Sequence, residues 1–292
     1  MTFKNLEKIA PFVFIGPAVI ILFLIVIFPM VYSIGISLSE WNLMRGGNWK
    51  FVGLRNYYYT FFQDPDFYTS LKVTLEYVGV AVGLELLLGL GVALLLNRPL
   101  KKIGIMRTIL VIPTTMTPVV VGIIWRLLYN PELGVLNYFL ELFGFQKLNW
   151  LGDPNLALPS VIMADIWEWT PFMALILLAG LQSLPKEPFE ASIVDGASYL
   201  QLFRYITFPL LLPTLIVALL LRVMDAFKTF DLIFVITGGG PAHYSETLNI
   251  YTYLQGFNFM KISYASTLAI VMFVILSIIS MYLSRIYRQA EF

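Results

Sequence analysis

The chain contains no cysteine and only one histidine, His243. Disulfides, thiolate metal sites, cysteine nucleophiles and a histidine metal cluster are therefore excluded. Charge is scarce as well: Asp, Glu, Lys and Arg make up 13% of the 292 residues, against about a quarter in an ordinary soluble domain. A formal net charge of +1 gives no footing for nucleic acid binding. Apolar residues fill the space, at 59% of the chain and a mean hydropathy of +0.79. A bilayer is the natural solvent for such a polymer, and too little polar sequence remains for a separate soluble catalytic domain.

A hydrocarbon core about 30 Å thick needs about 20 apolar helical residues to cross it. Six runs of that size occur, at residues 11–32, 73–96, 105–128, 158–181, 208–230 and 264–287, the fifth being the least clean. The fold expected is an all-α integral membrane protein with six transmembrane helices. The first run is too long for the apolar core of a signal peptide and lacks a small-residue cleavage site, so it reads as a retained anchor. Lys4, Lys8, Arg98, Lys101, Lys102, Arg107, Lys186, Arg204, Arg285 and Arg288 fall in the termini and the even-numbered connections. Those segments are expected on the cytoplasmic side, with both termini inside and the longer connections 33–72, 129–157 and 231–263 outside. Trp41, Trp49, Trp125 and Trp150 sit near the expected outer boundary, where amphipathic rings are favoured. Gly79 and Gly83, followed by Gly89 and Gly91, suit close helix approach in the second span. Pro113 and Pro118 are expected to kink the third.

The connection between the fourth and fifth spans is too long for a tight turn. Pro188 suits a first helical turn, Glu187 and Glu190 complement the positive helix end, and Gly196 is a permissive stop. A short surface helix is expected, with Phe189, Ile193 and Ala197 as an apolar stripe beside the carboxylates of Glu190 and Asp195.

At this segment the sequence resembles a known family. Glu190-Ala191, then Asp195-Gly196-Ala197, Phe203 and Pro209, matches the EAA loop of type I permeases of ATP-binding-cassette importers, and its surroundings resemble the maltose, trehalose and glycerol-phosphate permeases. Phe51-Val52-Gly53-Leu54-Arg55-Asn56-Tyr57 and Thr237-Gly238-Gly239-Gly240-Pro241 extend the resemblance over nearly the whole chain. It implies that residues from Glu190 to Ala197 form a coupling helix docked on an ATPase, and that Gly238, Gly239, Gly240 and Pro241 contact an extracytoplasmic solute-binding protein, although an ordinary turn fits the glycines equally. It further implies a second homologous permease subunit, two cytoplasmic ATPase subunits carrying ATP and Mg, a bacterial inner-membrane location and a sugar-like cargo, with no cofactor in this chain. The glycines lack the Lys-Ser/Thr of a phosphate-binding loop. The expected division is an N-terminal anchor and first outer loop at 1–69, a permease core at 70–287 and a cytoplasmic tail at 288–292.

Ionisable residues inside spans cost roughly 2.5 to 3.5 kcal/mol each at a helix centre, so Asp165, Glu168, Arg222, Asp225 and Lys228 stand out. Asp165, Trp169 and Phe172 form one stripe; Arg222 and Asp225 are three apart, as are Asp225 and Lys228, so a second helix face presents alternating charge, with Thr229 as a further candidate on the path. The two stripes are expected to line a wet cavity where aromatic faces and charged groups meet a sugar. The competing reading is an ion pair from Asp165 or Glu168 to Arg222 that holds the bundle together. Glu85 is assigned either to the interior or to a partner subunit. Two other functional classes compete: an ion-coupled secondary carrier and a membrane-bound enzyme acting on glycan or lipid. Spacing alone cannot establish the paired acids a glycosidase needs, and no catalytic residue or metal ligand is assigned.

Overall fold

The computed structural model describes residues 14–41, 49–98 and 103–290. Lys4, Lys8, Lys101 and Lys102, which entered the orientation reading, lie outside the described residues, as do Pro11 at the start of the first expected span and residues 291–292 of the tail. Helix α1 (Phe14–Ser37) leads into a short antiparallel ribbon of β1 (Ser39–Glu40) and β2 (Lys50–Phe51). Then follow α2 (Arg55–Phe62), α3 (Pro65–Leu96), α4 (Ile103–Thr115), α5 (Pro118–Leu128), α6 (Val135–Leu142) and α7 (Pro154–Ser183). The chain continues through α8 (Glu187–Val194), α9 (Tyr199–Ala226), α10 (Asp231–Ile236), α11 (Leu248–Tyr253) and α12 (Ile262–Ala290).

Five of these, α1, α3, α7, α9 and α12, are long and apolar enough to cross a bilayer, and α4 with α5 makes a sixth crossing if the bent pair is one span. The break is sharper than the expected kink: the two helices meet at 94°. Its cause is local. Pro118 drives the residue before it out of the helical region, and Thr117 is extended at φ −76°, ψ 142°. The fifth span also differs from expectation. It starts at Tyr199, because Ser198 and Gln201 form a reciprocal capping box, with the Ser198 N–H donating to Gln201 Oε1 at 2.8 Å. It then passes through a wide π turn at Phe203–Thr207 and ends at Ala226, which leaves Phe230 outside.

The chain divides into two compact units. One gathers the described residues up to Pro65 with Thr252–Val274. There the segment 51–57 folds back on the end of α1: Gly53 takes φ 60°, and the Asn56 amide donates to the carbonyls of Ser37 and Ser39, each at 2.8 Å. The Tyr57 hydroxyl lies 2.7 Å from that of Ser37, and Tyr264 donates to Asp64. The bond from Asn56 to Ser37 satisfies a carbonyl that the end of α1 leaves open.

The other unit comprises Asp66–Tyr251 and Ile275–Phe292. Its centre is α7, where Val161, Ala164, Met173, Ala174 and Leu177 are fully enclosed. The helix begins cleanly, with Asp153 capping the Asn155 N–H at 2.8 Å and Pro154 in the first turn. Helix crossings run through glycines, but not all of those the spacing pointed to. An added Cβ at Gly89 would lie 2.7 Å from Met173 Cβ, at Gly180 2.6 Å from Thr214, and at Gly122 2.9 Å from Val235. Gly79, Gly83 and Gly91 have nothing within 4 Å among the described residues. The proposed outer tryptophans show a related cluster: Trp125, Tyr129, Trp150 and Trp167 form a chain of ring contacts 5.4 to 6.0 Å apart, and Trp150 donates to Asn137.

Candidate functional site

A cavity of about 200 Å³ opens beside the middle of this second unit. Asp165, Glu168 and Trp169 of α7 line it together with Asp225, Lys228, Thr229, Phe230, Asp231 and Leu232, and Pro118 of α5 closes one side. The expected stripes therefore do converge, with two changes. Phe172 does not line the cavity; it packs edge-on against Trp169 at 5.7 Å. Arg222 lies behind the wall, with a fully enclosed side chain.

Arg222 is held by three carboxylates. Its Nε donates to Glu85 Oε2 at 2.7 Å and its Nη2 to Glu85 Oε1 at 3.0 Å, a two-point grip from α3. Nη2 also donates to Asp165, and Nη1 reaches Asp225 Oδ2 at 3.3 Å. The guanidinium lies 5.0 Å from the centre of the Trp169 ring. Asp165 thus takes part in both competing readings: it pairs with Arg222 and reaches the cavity. Glu168 pairs with no cation at salt-bridge distance among the described residues, and its Oε2 is buried without a hydrogen-bond partner there. Glu85 is the partner that sequence reading left open. Its signal was a lone carboxylate in an otherwise apolar run, which requires a buried cation or a cavity.

At one end of the unit stands the expected surface helix, α8. Glu187, Pro188 and Glu190 occupy its first turn, and Gly196 adopts φ 77° just past its end. The Ala197 N–H turns back to the Ser192 carbonyl at 3.0 Å, so Ala197 follows the reversal and does not extend the Phe189–Ile193 stripe as expected. Glu190, Ala191 and Asp195 are exposed, and Ile193 and Val194 are uncovered. Phe203 lies in the π turn, its ring 6.2 Å from that of Phe208.

The glycine segment after α10 is an ordered turn. Gly238 and Gly239 adopt φ 64° and 93°, and Ser245 Oγ lies 2.6 Å from the Gly240 carbonyl oxygen and 2.8 Å from Thr237 Oγ1. The Gly240–Pro241 peptide is cis. Beyond it, Glu246 is nearly enclosed and lies 2.7 Å from His243 Nδ1. Burial pushes its carboxyl above the usual carboxylate range, an effect the His243 ring opposes.

Comparison with known proteins fits this arrangement. A profile of the family described as binding-protein-dependent transport system inner membrane component matches residues 85–290. The chain is 40% identical over 280 residues to the probable ABC transporter permease protein y4oQ of Sinorhizobium fredii, covering 95% of this chain and 90% of that protein. It is 38% identical over 272 residues to the trehalose/maltose transport system permease protein MalF of Thermococcus litoralis, with 93% and 91% covered. A crystal structure of a bacterial ABC transporter involved in the import of the acidic polysaccharide alginate shares the fold, with a TM-score of 0.84 at 23% identity and 98% of each chain covered. The chain belongs to the family of binding-protein-dependent transport system inner membrane components, and is a membrane-embedded ABC permease subunit of the kind whose ATPase is a separate subunit.

Proposed function

We propose that this chain forms one half of the path by which a sugar or related solute is imported through ATP-driven alternating access. One observation carries the proposal: α9 is a continuous rod from the exposed α8 hairpin to the charged cavity. From Tyr199 to Arg222 the rise is about 35 Å at about 1.5 Å per residue. Such a rod transmits a displacement at one end to the other without further chemistry in this chain. The uncovered apolar side chains at its foot, Val194 (86% exposed) and Tyr199 (89%), with carboxylates Glu190 and Asp195 beside them, suit a groove with a basic rim on a partner.

In this reading residues from Glu190 to Ala197, with Phe203 behind them, engage one of two cytoplasmic ATPase subunits. ATP and Mg bind there, and closure of the pair draws the docked helices together. A second homologous permease subunit completes the path, and an extracytoplasmic solute-binding protein docks on the turn at Gly238, Gly239, Gly240 and Pro241. Asp165, Glu168, Trp169, Asp225 and Thr229 face the cargo within the membrane, in the manner of carriers that rock around a central site. Both termini are cytoplasmic, with an anchor at 1–69, the core at 70–287 and a tail at 288–292. The sugar class is supported by the trehalose/maltose relative, and by a second relative described as a sulfoquinovosyl glycerol permease. The carrier and enzyme alternatives lose ground, because the matching family and the named relatives are ABC transport permeases.

Reconstitution in proteoliposomes with the partner subunits tests the proposal. Uptake is expected only with ATP, and Glu190→Lys should lower it at least about tenfold, a loss of about 1.4 kcal/mol in docking. Uptake by the isolated chain on an ion gradient would overturn the reading. So would labelling from outside intact cells of a cysteine placed at Ala191.

A further inference from the structure

The cavity walls are unequal in charge. Asp165, Glu168, Asp225 and Asp231 contribute four carboxylates, against the single ammonium of Lys228. Arg222 does not redress the balance. Four of its five N–H donors are already committed, to Glu85, Asp165 and Asp225, and its side chain is fully enclosed. It has little left with which to receive an anion.

Glu168 supplies a second and independent indication. It is 1% exposed, it lines the cavity, and its Oε2 has no hydrogen-bond partner among the described residues. A buried carboxylate oxygen without a donor is costly, so the missing element of this site is a hydrogen-bond donor. A sugar hydroxyl is one. A uronate, sulfonate or phosphate group brings further acceptors and a like charge, and fits neither need.

We infer that the cavity selects a neutral saccharide against an anionic one, with Glu168 as the residue that sets the preference by accepting a hydrogen bond from a cargo hydroxyl. This rests on the sugar-importer reading of the chain. It separates this protein from two that it resembles: the fold neighbour that imports acidic alginate and the relative described as carrying sulfoquinovosyl glycerol.

The test uses the reconstituted importer and matched probes, maltose and trehalose each beside the acid formed by oxidising one C6. Uptake of each pair is measured for wild type, Glu168→Gln and Glu168→Lys, and the ratio of acidic to neutral uptake in each variant is divided by the wild-type ratio. The binding protein's own preference cancels in that quotient. Direct binding to the solubilised importer, followed by tryptophan fluorescence, gives the wild-type preference without the binding protein. The wild type is expected to favour the neutral member at least tenfold. Glu168→Gln should raise the quotient about threefold, and Glu168→Lys more than tenfold. Equal or tighter wild-type binding of the acidic member overturns the inference while leaving the sugar reading standing. A quotient near one in both variants also overturns it, since the partner of Glu168 would then be water alone. ATP-driven uptake of some other solute with none of the four sugars carried removes the sugar reading, and the inference with it.

Discussion

Arg222 is the best place to perturb the bundle, because its surroundings make the expected cost large and its sign unambiguous. Replacing it by Met keeps most of the volume and removes the charge. Glu85 and Asp165, both fully enclosed, would then face one another without their shared cation. Breaking a buried ion pair by removing one partner costs about 3–5 kcal/mol, chiefly because an uncompensated charge stays buried. Loss of the contact with the Trp169 ring at 5.0 Å adds up to about 2 kcal/mol for a desolvated pair. Against a typical stability of 5–15 kcal/mol that is a substantial fraction. The assay is a double-mutant cycle read by reversible unfolding in mixed micelles, with Glu85→Leu as the second change. Arg222→Met alone should cost about 3–7 kcal/mol, the upper end including the ring contact. The double variant should cost less than the two single costs added together, by about 1–3 kcal/mol, because it removes a charge of each sign. Strict additivity, or an Arg222→Met protein within about 0.5 kcal/mol of wild type, would refute the idea that these groups act as one network.

Gly89→Leu should lower the folded yield in membranes sharply, since a Cβ there already meets Met173 and the Ala174 backbone, whereas Gly91→Leu should be tolerated; quantitative blotting of the membrane fraction compares them. Gly196→Val places a β-branched residue at φ 77° and should cost about 1–2 kcal/mol locally, so that ATP hydrolysis by the assembled complex falls while Gly196→Asn retains most of it. For Glu246 the folded value lies above the unfolded one. Its contribution to stability is therefore present below the unfolded value and is lost as pH rises through the raised folded value. Amide protection factors at Ser245 to Thr247 should decline over that interval, and Glu246→Gln should flatten the decline.

The spans were legible because length against a bilayer is a one-dimensional property, and residues 158–181 and 264–287 fell inside α7 and α12 as observed. The α8 helix was legible for a similar reason: Pro188, the flanking acids and Gly196 act within one or two turns of where they stand. The capping box at Ser198 and Gln201 was equally visible and would have moved the start of α9 to Tyr199. Other features depend on how helices rotate against one another, which a single sequence does not encode. The spacing of Gly79 and Gly83 matched a contact stripe, yet the close approaches are at Gly89, Gly122 and Gly180. Glu85 and Arg222 are distant in sequence and meet only once α3 and α9 have set their facing sides. The two prolines flagged a bend in the third span, but its 94° also reflects where α5 settles, with Gly122 against Val235 and Arg126 bonded to the Val235 carbonyl at 3.1 Å.

The corner between α4 and α5 bears on hydration. A helix that halts within an apolar layer exposes main-chain groups that hydrocarbon cannot serve. Here the Thr114 and Thr115 hydroxyls donate to the carbonyls of Val111 and Ile112, both at 2.8 Å, and Pro118, the first residue past the corner, borders the cavity. Solvent admitted at that point can satisfy the remaining peptide groups. Under the proposed function the chamber is then wet at rest, and an arriving cargo displaces water molecules one for another instead of filling a void.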